Sequence, residues 1–132
     1  MAMALALVRL DGRRLTLAAA GMPPVLLYRQ RTSRVEEIEF ASMPLGSFEN
    51  RYAERAVDVA AGDTLLIMTD GLPELPNTDG EPLGYKRAAD EFERHGGRPL
   101  DQVIDELCRM AEKWGGGGAP ADDVTFVALR VR

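Results

Sequence analysis

The sequence predicts an α+β layered domain in which several antiparallel strands are followed by two helices and a closing strand. Three observations carry that expectation. Asp11-Gly12, a dipeptide favoured in two-residue hairpin turns, separates apolar runs at residues 4–10 and 14–20. A short apolar run at 64–69 lies between Gly62-Asp63 and Asp70-Gly71, as a buried strand between turns would. Residues 100–114 repeat apolar side chains at helical spacing. A length of 132 residues suits one domain with a real core, and no internal repeat suggests a second.

Taken in order, Leu15 and Leu17 alternate with Thr16 in the second arm of the hairpin, as one buried face requires. Met22-Pro23-Pro24 interrupts pairing, because each proline lacks a backbone donor. Strands are expected at 25–29 and 35–40, around a polar turn at 30–34, and a weaker one at 52–59. After the 64–69 strand, residues 72–75 suit a single helical turn, and 77–80 are dense in turn formers. Residues 85–95 read as a helix with Ala88, Ala89 and Phe92 on one side, stopped by Gly96-Gly97. Pro99 suits the start of the next helix, whose stripe runs Leu100, Val103, Ile104, Leu107, Cys108, Ala111, Trp114 until the glycines at 115–118. The closing strand is expected over 124–131, directly after Asp122-Asp123.

Composition narrows the function. An apolar content of 45% and a charged content of 28% are ordinary for a soluble domain. The net charge of −5, without a basic block, argues against nucleic acid as a partner. A single cysteine excludes an internal disulfide and fits a reducing, cytoplasmic setting. The apolar start stops at Arg9, and no apolar stretch approaches a membrane span, so no membrane insertion is expected.

The chemistry is expected where the 64–69 strand ends. It delivers Asp70 beside Gly71, and 52 residues later Asp122 and Asp123 open the last strand. If those strands are antiparallel neighbours, about 4.8 Å apart, the carboxylates converge on one small volume, a candidate site for a hard cation. Glu74 lies one turn past Asp70, near the site, where stabilising a helix start is the simpler role.

Four stretches make the chain recognisable: Ala19-Ala20-Gly21-Met22-Pro23-Pro24, Pro44-Leu45-Gly46, Gly62-Asp63 through Thr69-Asp70-Gly71-Leu72 with Glu74, and Asp122-Asp123-Val124-Thr125. In letters, order and spacing the chain resembles the C-terminal part of a bacterial metal-dependent phosphatase of the PPM (protein phosphatase 2C-like) superfamily. The likeness is to the stage II sporulation protein E type. It implies an antiparallel β-sandwich flanked by helices, with a two-metal Mn²⁺ or Mg²⁺ site at one end. By the same resemblance Asp70 and Asp122 are metal ligands, and Asp123 occupies the neighbouring position. Two such ions activate a water that attacks phosphorus directly, so no catalytic residue beyond the metal ligands is needed.

The resemblance further implies a phosphoserine/phosphothreonine protein phosphatase of bacterial signalling, acting on a phosphorylated anti-sigma-factor antagonist. Two departures qualify the match. The family's N-terminal aspartate motif, which bridges both metals, has no counterpart before Asp70, and Met22 stands where the family often has histidine. Residues 1–132 are therefore expected to form a single but partial domain lacking the N-terminal segment, with little or no activity alone. The alternative is a non-catalytic pseudophosphatase that binds a partner with the same fold. An uncovered sheet is expected to drive self-association, as a dimer in which a second copy covers the exposed face.

Other features have plainer readings. Asp63 and Asp79-Gly80 belong to turns, and His95, the only histidine, sits at a helix end and cannot build a His-rich metal site. Cys108 and Trp114 fall on an apolar stripe and are expected in the core. The glycines at 115–118 lack the Gly-Lys-Ser/Thr of a phosphate loop.

Overall fold

Alternation and turn chemistry produce seven strands and two helices among the residues that the computed structural model describes, 1–48, 51–120 and 122–132. They are β1 (Leu5–Asp11), β2 (Arg14–Ala20), β3 (Val25–Arg29), β4 (Arg34–Ile38), β5 (Glu54–Asp58), β6 (Thr64–Met68), α1 (Tyr85–His95), α2 (Leu100–Trp114) and β7 (Phe126–Arg130). All pairing is antiparallel, in a three-stranded sheet β1-β2-β5 and a four-stranded sheet β4-β3-β6-β7.

The four-stranded sheet is the middle layer. Leu26, Tyr28, Leu66 and Met68 face the helices and pack with Phe92, Val103 and Leu107. Their neighbours Val25, Leu27 and Leu65 face the other sheet and pack with Leu15, Leu17 and Val59. A strand covered on both sides needs apolar residues at every position, which is why β3 and β6 read as continuous apolar runs. The three-stranded sheet is covered on its inner side, and on its outer side only near Ala20. Its Leu7, opposite Ala18, is 60% exposed.

The sandwich is open at one side. Val127 and Leu129 pair with Ile67 and Leu65, which face the inter-sheet core, yet both are 47% exposed. Leu10, opposite the buried Leu15, is 50% exposed. Residues paired across antiparallel strands share a face, so these three point inward but lack cover.

Several boundaries differ from expectation. The first hairpin turns on Gly12-Arg13, not Asp11-Gly12: Asp11 pairs with Arg14, and Gly12 takes φ 59°. A glycine at the first loop position is the mark of the type II′ turn. β4 spans Arg34–Ile38, and β7 starts at Phe126, so Asp122-Asp123 precede it by a short loop. Pro99 is the N-cap of α2, one position before its first turn, whereas α1 stops at Gly96 as expected, its N–H making the last helical bond to Phe92 O at 2.7 Å.

Cys108 is exposed, not in the core. The buried stripe of α2 is Val103 and Leu107, and one residue further the helix has turned about 100° away from it. Burial and the nearby Asp105 and Glu112 charges still push its thiol pKa up, so it stays protonated. Trp114 is half-buried, and its Nε1 donates to Leu75 O at 3.0 Å and Glu81 O at 3.2 Å.

Asp63 does close a turn, but it also fastens that turn to the end of β3. Only 3% exposed, it accepts from Ala60 N (3.0 Å), Gln30 N (3.0 Å) and Arg29 Nη1 (3.1 Å). Arg29 also reaches Glu36 at 3.0 Å, the largest of the causes that raise its pKa. Arg130 laces β7 to β6 and α1 by donating to Thr64 Oγ1 and Gly96 O. Among the described residues, no helix is long and apolar enough to cross a membrane.

Candidate functional site

Pairing of β6 with β7 continues past the regular strands and brings the acidic segments together. Thr69 N donates to Thr125 O at 3.1 Å, and Thr125 N to Thr69 Oγ1 at 3.0 Å. The same hydroxyl donates to Asp123 O at 3.1 Å. Thr69 thus ties the loop before β7 to the end of β6 from both backbone and side chain.

Gly71 makes the approach possible. A Cβ there would lie 2.3 Å from Asp123 O, far inside van der Waals contact, so only glycine lets the two backbones meet. Asp70, Asp122 and Asp123 are all exposed at this end of the sandwich. Asp122 Oδ1 accepts from Asp123 N at 2.7 Å, turning that carboxylate onto its own loop. Glu74 N donates to Asp70 O at 2.9 Å, which closes the single turn expected over 72–75.

Tyr85 belongs to this neighbourhood and was not singled out by the sequence. Its phenol pKa is raised, first by burial and then by the charges of Glu74 and Asp70. No local pattern marks it. It arrives because the 77–83 loop returns the start of α1 toward Pro73, with Gly84 N donating to Pro73 O at 2.8 Å.

The donor chemistry suits Mg²⁺ or Mn²⁺, which favour carboxylate oxygens and keep several waters. The spacing is looser than a closed site requires. Among the described residues, the only three His, Cys, Asp or Glu ligand atoms found within 4.8 Å of one another belong to Glu91, His95 and Glu106. Asp70, Asp122 and Asp123 do not form such a set. Glu91 and Glu106 are themselves held by arginines: Arg94 on Glu91, and Arg98 and Arg109 on Glu106.

Comparison with known proteins fixes the lineage. The family model for stage II sporulation protein E (SpoIIE) matches residues 1–132. The chain belongs to the SpoIIE family. Solved structures similar to this SpoIIE-family chain include the SiaA-PP2C domain of Pseudomonas aeruginosa, at 25% identity and TM-score 0.81, covering 96% of this chain and 51% of that one. The RsbU and RsbW domains of a Mycobacterium tuberculosis protein match at 25% identity and TM-score 0.80, covering 96% and 35%. The phosphatase domain of the cell fate determinant SpoIIE from Bacillus subtilis shares the fold at 20% identity and TM-score 0.73, covering 97% and 56%. The chain spans about half the length or less of these three structures. Among the curated proteins no match was found. The two antiparallel sheets with two helices are thus the PP2C fold in part, as expected for a SpoIIE-family chain.

Proposed function

We propose that residues 1–132 form one partial SpoIIE-type domain, the C-terminal part of a cytoplasmic, metal-dependent phosphoserine/phosphothreonine protein phosphatase. Its substrate would be a phosphorylated protein of the anti-sigma-factor antagonist kind. The observation that carries this reading is the contact of Gly71 with the Asp123 carbonyl, which brings Asp70, Asp122 and Asp123 to one end of the sandwich. In their roles, Asp70 and Asp122 supply carboxylate oxygens to Mn²⁺ or Mg²⁺, with Asp123 beside them. Thr69 holds both segments in place. Divalent cations, when bound, supply water activation and neutralise phosphate charge.

A second reading, a partner-binding module without catalysis, is favoured by the failure of the three aspartates to form a three-ligand set. Two or three separated carboxylates make a weak Mg²⁺ site. Calorimetric titration with Mn²⁺, with Asp70→Asn as control, tests the metal reading. Saturable binding that the substitution abolishes is the expected result. Heat-silent mixing at millimolar Mn²⁺ would leave this chain the binding-module reading alone. In either case the uncovered Leu10, Val127 and Leu129 favour association of a second copy, and sedimentation as a clean monomer at high concentration would refute that association.

A further inference from the structure

The sign of the surface changes between the two helices. A groove of about 590 Å³ is lined by Arg87, Glu91 and Arg94 of α1, by Glu106, Arg109, Met110, Lys113 and Trp114 of α2, and by the loop through Asn77 and Thr78. On each helix these residues recur every three or four positions, so two stripes face one cleft. Four cations and two carboxylates line it, in a chain of net charge −5.

Both carboxylates are already committed. Glu91 is paired with Arg94 and with His95 Nε2 at 3.1 Å. Glu106 takes Arg109 at 2.8 Å and Arg98 at 3.2 Å, and the Arg109 hydrogen bond leads the causes that hold its pKa low. Arg87 and Lys113 have no carboxylate partner among the described residues. Arg87 is nonetheless fixed in place. Its guanidinium lies 4.5 Å from the centroid of the Trp114 ring, and its Nη1 donates to Leu83 O at 3.0 Å. Trp114 is fixed in turn by its bonds to Leu75 O and Glu81 O. Cations held in advance of binding lose little freedom when an anion arrives.

We propose that this groove docks an acidic, carboxylate-bearing segment of a partner protein, with an apolar side chain seated against Met110 and Trp114. Charge complementarity selects that occupant. Arg87 and Lys113 flank a strip of apolar surface and have no anion of their own, while the acidic remainder of the chain repels a long polyanion such as nucleic acid. None of the groove residues belongs to the candidate metal site, so the proposal stands independently of phosphatase activity.

Trp114 is the only tryptophan, so its emission reports occupancy directly. The probe is a blocked octapeptide alternating glutamate and leucine, with the lysine-leucine octapeptide as control and calorimetry run on the same mixtures. Saturable binding of the glutamate peptide is expected, weakened by salt and reduced about tenfold by Lys113→Glu. Lys113 is exposed, so the variant keeps the fold, and Lys113→Arg is expected to retain binding. No saturable signal by either method, equal affinity for the lysine peptide, or indifference to Lys113→Glu would overturn the proposal. Tighter binding of a single-stranded oligonucleotide than of the glutamate peptide would also overturn it.

Discussion

The two sheets differ in surroundings and, at β5, in composition. In the four-stranded sheet, β3 is buried at four of its five positions and β6 likewise, between the helices and the opposite sheet. In the three-stranded sheet, β5 is exposed at four of five, and β1 has no fully buried position. Apolar residues are present in both. At β5 the charged Glu54, Arg55 and Asp58 account for much of the exposure, while at β1 what is missing is a layer to cover Leu7 and Leu10, and burying apolar faces is what stabilises a sheet. The four-stranded sheet is therefore covered on both faces, one of them by the three-stranded sheet, whereas the three-stranded sheet leaves more surface open.

Substitutions can sharpen or break that contrast. The largest effect is expected at Phe92, fully buried under the four-stranded sheet and edge-on to Tyr28 with ring centroids 6.1 Å apart. Phe92→Ala should cost about 3–5 kcal/mol in denaturant unfolding. Gly71→Ala comes next. Its methyl must displace the Asp123 carbonyl, so a loss of about 1–3 kcal/mol is expected, together with weaker Mn²⁺ binding. A variant with both stability and metal response unchanged would show that the contact does not organise the site.

A smaller, pH-dependent effect is expected at Glu93, which ties α1 to β4. Its carboxylate accepts from Val35 N at 2.8 Å and Arg34 at 3.0 Å, with Asp90 opposing. The Val35 hydrogen bond is the largest cause holding its pKa below the ordinary glutamate range. A depressed pKa means stability that is present above that range and is lost as pH falls through the folded value. Glu93→Gln should therefore be less stable than the parent at neutral pH, with the difference vanishing in acid. Equal stability at neutral pH would mean that the helix docks without it. The smallest change is expected at Leu7, already 60% exposed. Leu7→Ala should stay within about 0.5 kcal/mol, and a loss as large as that at Phe92 would erase the contrast between the sheets.

Most of the elements were legible along the chain because their signals are local. Gly-containing turns, the continuous apolar run of β6 and the stripe of α2 depend on neighbours within a few residues. The same locality explains the errors. The hairpin loop shifted by one residue because Asp-Gly signals a turn without fixing which pair occupies its centre. Cys108 lies outside the core because a stripe drawn every three or four residues is wider than the strip of helix that the sheet covers.

The candidate site was legible in part. Asp70 and Asp122-Asp123 stand out as carboxylates next to strands, and the antiparallel pairing of β6 with β7 brings their segments together as expected. Tyr85 was invisible, since nothing near it in sequence indicates that it returns to Asp70.

By itself, then, the sequence determined the α+β class, the order of elements and the family, because turn residues, periodicity and motif spacing are properties of short stretches. Only the tertiary structure decided that Asp63 would fasten its turn to the end of β3, that Leu10, Val127 and Leu129 would point inward without cover, and that Arg87 would stack on Trp114 across a cationic groove. Each of these depends on residues far apart in the chain meeting in space, and burial and charge are sums over all such neighbours.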